Sequence, residues 1–136
     1  MTDLRPLPET PLNRMIGAKL ISYDTEKEMA EVSYDVGADF LNLQGMIHGG
    51  IVATMLDQTC GIAIHYGTGA KIPPGNVTLE LNISFMRPLM TGKIRSVGQV
   101  LRRARSVSFA EATLYNMDGD MMARASATFA VIKPKS

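Results

Sequence analysis

Residues 49–66, GGIVATMLDQTCGIAIHY, place Ile51, Val52, Met55, Leu56, Ile62, Ala63 and Ile64 around almost the whole circumference of a helix. A helix that is apolar all round has no face to offer to water, so the rest of the chain must enclose it. It does not cross a bilayer. The longest stretch free of Asp, Glu, Lys and Arg spans residues 40–56, only 17 residues that still include Asn42, Gln44, His48 and three glycines, whereas a spanning helix needs about 20 mostly apolar residues.

What can enclose it is β-structure. Residues 18–24 and 29–34 are short runs with β-branched and aromatic residues separated by Thr25, Glu26 and Lys27, which predicts a hairpin. From Val77 the period changes to two: Val77, Leu79, Leu81, Ile83 and Phe85 are expected on one face and Thr78, Glu80, Asn82 and Ser84 on the other. Residues 93–103 and 107–116 read as two further strands, and Asp118-Gly119 supplies a tight turn before a last strand over 121–132. Ala123, Ala125 and Ala127 share one face of that strand and leave room for a helix to lie close. Strand 93–103 has apolar residues on both parities (Ile94, Val97, Val100, Leu101), which predicts a second covered face at a subunit interface. The expected architecture is α+β, an antiparallel sheet of five or six strands wrapped around one central helix. The 136 residues suit a single domain, with residues 1–12 a Pro-rich and flexible N-terminal segment.

Composition narrows the function. Fourteen Lys plus Arg against thirteen Asp plus Glu leave a net charge of +1, no field for a nucleic-acid backbone or an anionic membrane. The single Cys60 cannot form an internal disulfide, no Cys/His cluster has metal-ligand spacing, and no secretory signal opens the chain. A reducing cytoplasm is the expected compartment.

Chemistry concentrates in residues 42–57, NLQGMIHGGIVATMLD. Gly49 and Gly50 at a helix start leave N–H groups uncovered at the positive end of the dipole, where an oxyanion or a polarised carbonyl can sit. They suit a tight loop-to-helix packing contact equally well. Asp57 lies among Met55, Leu56, Cys60 and Ile62, where a carboxylate either finds donors such as Thr54 or Thr59 or faces a cavity as a catalytic group. Eight residues of helix separate Gly49 from Asp57, about 12 Å of rise. Both cannot touch one reacting carbon, so if both act, the Asp57 of a site comes from a neighbouring chain and a twofold dimer makes two equal sites.

Asn42, Gly45, His48, Gly49, Gly50 and Asp57, with NISFMRPLMTG (82–92) and TFAVIK (128–133), resemble the hotdog-fold acyl-CoA thioesterases of the phenylacetate-degradation type, within the 4-hydroxybenzoyl-CoA thioesterase superfamily. The resemblance covers residues 13–134. It implies a hotdog homodimer, often paired into a homotetramer, that hydrolyses a small or medium aliphatic or aromatic acyl-CoA with no metal or other cofactor. Position by position, it implies that the Gly49 N–H polarises the thioester carbonyl with Asn42 assisting and Gly50 beside it, and that Asp57 acts as general base or nucleophile. Thr78 then helps to hold the water, and His48 sits by the leaving sulfur or fixes its own loop.

Arg102, Arg103 and Arg105 cluster beside Ser106; such a group can bind the nucleotide phosphates of coenzyme A or form a solvated turn, and the resemblance places coenzyme A contacts here. Cys60 has no basic neighbour to activate it and is expected to pack as a small apolar group. His65 is expected to complement the helix dipole. Met46 and Met55 are placed either along an adaptable acyl pocket or in the core. The alternative to hydrolysis is a noncatalytic acyl-CoA-binding hotdog module, which has no use for a base at Asp57.

Overall fold

The computed structural model describes residues 6–68 and 75–132. Helix α1 (Pro11–Met15) is followed by strands β1 (Lys19–Asp24) and β2 (Met29–Val36), a 3-10 turn at Ala38–Phe40, helix α2 (Gly49–Gly67), and strands β3 (Gly75–Phe85), β4 (Gly92–Arg103), β5 (Val107–Tyr115) and β6 (Met121–Ile132). The six strands form one sheet in the order β1-β2-β4-β5-β6-β3, every neighbouring pair antiparallel. The sheet packs around α2, the hotdog arrangement, and the expected five or six strands are six. Of the Pro-rich segment 1–12, residues 1–5 lie outside the described residues, while Thr10 caps α1 through Oγ1, which accepts from the Asn13 N–H. That short helix escaped sequence reading because Pro at its first position is equally a loop signal.

Apolar side chains explain the assembly. Val52, Met55, Leu56, Cys60, Ala63 and Ile64 on α2 are buried against Val32 and Tyr34 of β2, Ile94 of β4, Ala110 and Leu114 of β5 and Phe129 of β6. Ala123, Ala125 and Ala127 are buried as expected. Helix and sheet backbones come very close at Gly98, where a Cβ would stand 2.8 Å from the Thr59 carbonyl oxygen, a distance real side chains do not tolerate. A polar knot secures the same point. Ser96 Oγ donates to Thr59 Oγ1 (2.8 Å), Tyr34 Oη lies 2.8 Å from that hydroxyl, and both Tyr34 and Thr59 lie within hydrogen-bonding distance of the Met55 carbonyl.

Two strands depart from strict alternation. In β3 the register shifts between Thr78 and Glu80, so Leu79 is the extra residue of a bulge. Asn76 and Thr78 therefore turn toward α2 together with Leu81, Ile83 and Phe85, while Val77 and Leu79 are left outside, 46% and 59% exposed. The expected placement of Val77, Leu79 and Thr78 is corrected: one inserted residue exchanges the two faces. In β4 the shift between Val100 and Arg102 strands Leu101 outside and turns Arg103 inward beside Ser108. This bulge accounts for part of the apolar double parity of that strand.

Thr59→Val keeps the shape of the side chain, deprives Ser96 of its partner and leaves Tyr34 only the Met55 carbonyl. A loss of about 1 to 3 kcal/mol in urea unfolding is expected, the cost of buried groups left unsatisfied; an unchanged midpoint would show that the knot contributes nothing.

Candidate active site

The start of α2 is built by its own loop. Asn42 Oδ1 accepts the N–H groups of Gln44 (2.9 Å) and Met46 (3.1 Å), and Gly45, at φ +79°, completes a turn that only a residue without a side chain adopts freely. The Ile47 N–H reaches the Leu89 carbonyl and the His48 N–H the Phe40 carbonyl, which fixes where the helix begins. His48 is the N-cap: its Nδ1 accepts the Gly50 N–H at 3.1 Å, which leaves the ring proton on Nε2. The loop-fixing role expected for His48 is therefore present. The Ile51 and Val52 N–H groups return to the His48 carbonyl, and among the described residues the Gly49 N–H has no acceptor.

Packing does not demand the glycine pair. A Cβ at Gly49 would lie 3.6 Å from the Phe85 ring and one at Gly50 would lie 3.5 Å from His48 Nδ1, ordinary contacts in both cases. By contrast, a Cβ at Gly67 would force the tips of Arg103, Tyr23 and Glu28 to shift. Gly49 therefore presents a bare N–H rather than a tight fit within its own chain. It lines a cavity of about 280 Å³ with Asn42, Met46, Phe85 and Arg87.

Asp57 lies elsewhere. It is half-buried in the wall of a second cavity, of about 440 Å³, together with Gln58, Gly61, Asn76 and Thr78. Thr78 Oγ1 donates to Asp57 Oδ1 at 2.6 Å, and among the described residues Oδ2 takes no hydrogen bond. Thr54 and Thr59, the donors expected for a merely satisfied carboxylate, are committed to the carbonyls of Gly50 and Met55. The β3 bulge is what brings Thr78 to Asp57. Asn42 with Gly49 and Asp57 with Thr78 thus form two pairs in two separate cavities of one chain. Asn76 and Gln58, which line the Asp57 cavity, were missed by sequence reading. Asn76 could have been found only from the strand's inner parity, which the bulge conceals.

Cys60 is fully buried, and burial first, then the nearby Asp57 and Glu111 charges, push its thiol up to about 12. It stays a neutral thiol at neutral pH and is no nucleophile. Met55 is fully buried core, whereas Met46 borders the Gly49 cavity.

The arginine cluster divides. Arg103 donates from Nε (3.1 Å) and Nη2 (2.9 Å) to Glu28 Oε1, and from Nη2 (3.0 Å) to the Ile64 carbonyl in the last turns of α2. Tyr23 Oη donates to the neighbouring Ala63 carbonyl. Arg103 thus closes the helix C-terminus against the first hairpin, a cation at the negative end of the dipole. Arg102, Arg105 and Ser106 are exposed.

A model of the Thioesterase superfamily matches residues 44–123, which contain Gly49, Asp57 and Thr78. The chain belongs to the thioesterase superfamily. Among solved structures it is similar to a phenylacetic acid degradation-related protein of Ralstonia eutropha, with 30% identity, coverage of 91% of this chain and 92% of that one, and a TM-score of 0.83. It shares the fold of the Escherichia coli PaaI protein of the phenylacetic acid degradation operon, 20% identical over 93% and 88% of the two chains at a TM-score of 0.82. In sequence it is 26% identical to the medium/long-chain acyl-CoA thioesterase YigI of Salmonella typhimurium, across 89% of this chain and 85% of that one. Membership makes the chain a thioester hydrolase.

Two outcomes follow from the thiol and the guanidinium. Because its pKa lies far above the usual thiol range near 8.5, Cys60 of the folded protein should react with iodoacetamide at pH 8 far more slowly than in urea; equal rates would show an exposed thiolate. Arg103→Ala should lower stability by about 1.5 to 3 kcal/mol, the range for hydrogen bonds to charged groups, as read from urea midpoints, and no change would show that its bonds to Glu28 and Ile64 do not hold the fold.

Proposed function

We propose that this thioesterase hydrolyses a small or medium aliphatic or aromatic acyl-CoA to the free acid and coenzyme A. The observation that carries the site assignment is the Asp57–Thr78 pair, a carboxylate that lines a cavity with one oxygen held. Asp57 takes a proton from water while Thr78 orients both groups. The water oxygen bonds to the thioester carbon, and the carbonyl oxygen becomes an oxyanion held by the Gly49 N–H at the positive end of α2, with Asn42 beside it and Gly50 completing the turn. The C–S bond then breaks, coenzyme A leaves as the thiolate, and the proton returns to sulfur. The family resemblance puts His48 by the leaving sulfur. Direct attack by Asp57 would give an anhydride that water opens to the same products.

The two cavities support a site shared between chains, with the Gly49 of one protomer facing the Asp57 of its partner in a homodimer. The outer edge of β3 supports that pairing, since an 11-residue edge strand is a template for a second copy. Val77, Leu79, Leu101, Phe109 and Ile132, exposed beyond the bulges, support further pairing into a tetramer. Arg103, Arg105 and Ser106 of the basic turn are the residues we assign to the coenzyme A phosphates, Arg105 and Ser106 being exposed. We place this one-domain protein in the cytoplasm, on the strength of its lone Cys60.

Asp57→Ala should lower turnover at least about a hundredfold, since general bases contribute about 10² to 10⁴, with acyl-CoA binding retained. Thiol release across a panel of aliphatic and aromatic acyl-CoA thioesters at neutral pH measures it. Turnover within a few-fold of the parent makes Asp57 structural, and no thiol release from any thioester despite binding makes the protein an acyl-CoA-binding module.

A further inference from the structure

The cavity beside Asp57 has one wall made by the N-terminal segment. Leu7, Pro8 and Leu12 line it together with Ile62, Tyr66 and Phe129, and its volume of about 440 Å³ falls in the range of about 300 to 1,000 Å³ of small-molecule sites. The segment is tied directly to the helix that carries the carboxylate. Gln58 Nε2, one residue beyond Asp57, donates to Asn13 Oδ1 at 2.7 Å, and Asn13 Nδ2 donates to the Pro8 carbonyl at 2.8 Å. Tyr66 Oη adds a longer bond to the Pro6 carbonyl at 3.4 Å.

Several polar groups along this wall pair with one another. Gln58 and Asn13 pair as above, Thr10 Oγ1 accepts the Asn13 N–H, and Asn76 Nδ2 donates to the Gly61 carbonyl. The rest of the lining, Leu7, Pro8, Leu12, Ile62 and Phe129, is apolar and suits a hydrocarbon chain or an aromatic ring better than the two amides of a pantetheine arm, which need hydrogen-bonding partners.

We propose that residues 7–12 form the wall of the acyl pocket and limit the length of acyl group accepted, with Gln58 and Asn13 as positioning residues that hold this wall over Asp57. The assignment rests on the acyl-CoA reading of the site. Leu7 is the side chain in contact with the acyl group, and Asn13 acts only through the segment it holds.

Binding of a series of S-alkyl-CoA thioethers, from methyl to decyl, tests the wall without requiring turnover. By calorimetry, affinity in the parent should rise by up to about fourfold per methylene, the transfer value for a buried CH₂, until the cavity is full. In Leu7→Ala and in Asn13→Ala, each checked by circular dichroism, that increment should fall below about twofold while the methyl thioether binds as in the parent. The same split should appear in hydrolysis as a KM raised about three- to tenfold for the longer acyl groups in Asn13→Ala, the equivalent of one lost neutral hydrogen bond, with kcat kept. A length dependence identical in parent and both variants, or absent from the parent, overturns the wall. Thioethers that bind as predicted while no thioester is cleaved leave the wall standing and reject hydrolysis.

Discussion

The contact between Thr59 and Gly98 sets the rest of the molecule. A helix that is apolar all round has no amphipathic stripe to dictate its rotation against a sheet, so hydrophobic burial alone would accept several orientations of α2. Rotation is decided by the polar knot of Tyr34, Thr59 and Ser96 and by the missing side chain at Gly98, which together admit one phase at the helix centre. Burial raises the Tyr34 hydroxyl well above the usual phenol range, so the knot stays neutral at any physiological pH. Asp57 is two residues from Thr59. Its direction toward β3, and the 2.6 Å bond with Thr78, are consequences of that phase.

Alternation along the strands made most of the sheet legible. The helix, the hairpins and the small-residue face at Ala123, Ala125 and Ala127 all follow from period and turn chemistry. What could not be read were the places where one extra residue enters a strand. Ile21, Leu79 and Leu101 each sit at a register shift, and each is an apolar side chain left about half exposed. In the sequence each looks like another buried residue, because no local signal separates an apolar bulge residue from a core one. The cost of that ambiguity falls on function: the bulge at Leu79 turns Asn76 and Thr78 toward Asp57, and the one at Leu101 turns Arg103 toward Glu28.

Residues of the site were legible in proportion to how local their partners are. Asn42, His48 and the glycine pair interact within a few positions, so their turn and cap chemistry is written in the spacing. Asp57 was recognisable as a carboxylate out of place, but its partner lies 21 residues away across the bulge. Arg103 lies 75 residues from Glu28, and nothing local distinguished its ion pair from a free phosphate ligand. The N-terminal wall was invisible for the same reason: Asn13 meets Gln58 only after the chain has folded, 45 positions apart.

The central claim is that two half-sites, a bare N–H at Gly49 and a carboxylate at Asp57, meet across two chains. Complementation between two inactive variants tests it most directly. Asp57→Ala removes one half. Gly49→Pro removes the other, at a first helical position that tolerates proline, after a His48 backbone (φ −58°, ψ 136°) that already suits it. Refolded together in equal amounts, half the dimers are mixed, and each mixed dimer has one intact site and one carrying both lesions. Recovery of about a quarter of parental activity is the predicted result, by that pairing arithmetic. With both variants folded and mixed dimers confirmed by native mass spectrometry, recovery near zero would mean that each chain holds its own complete site and would contradict the account.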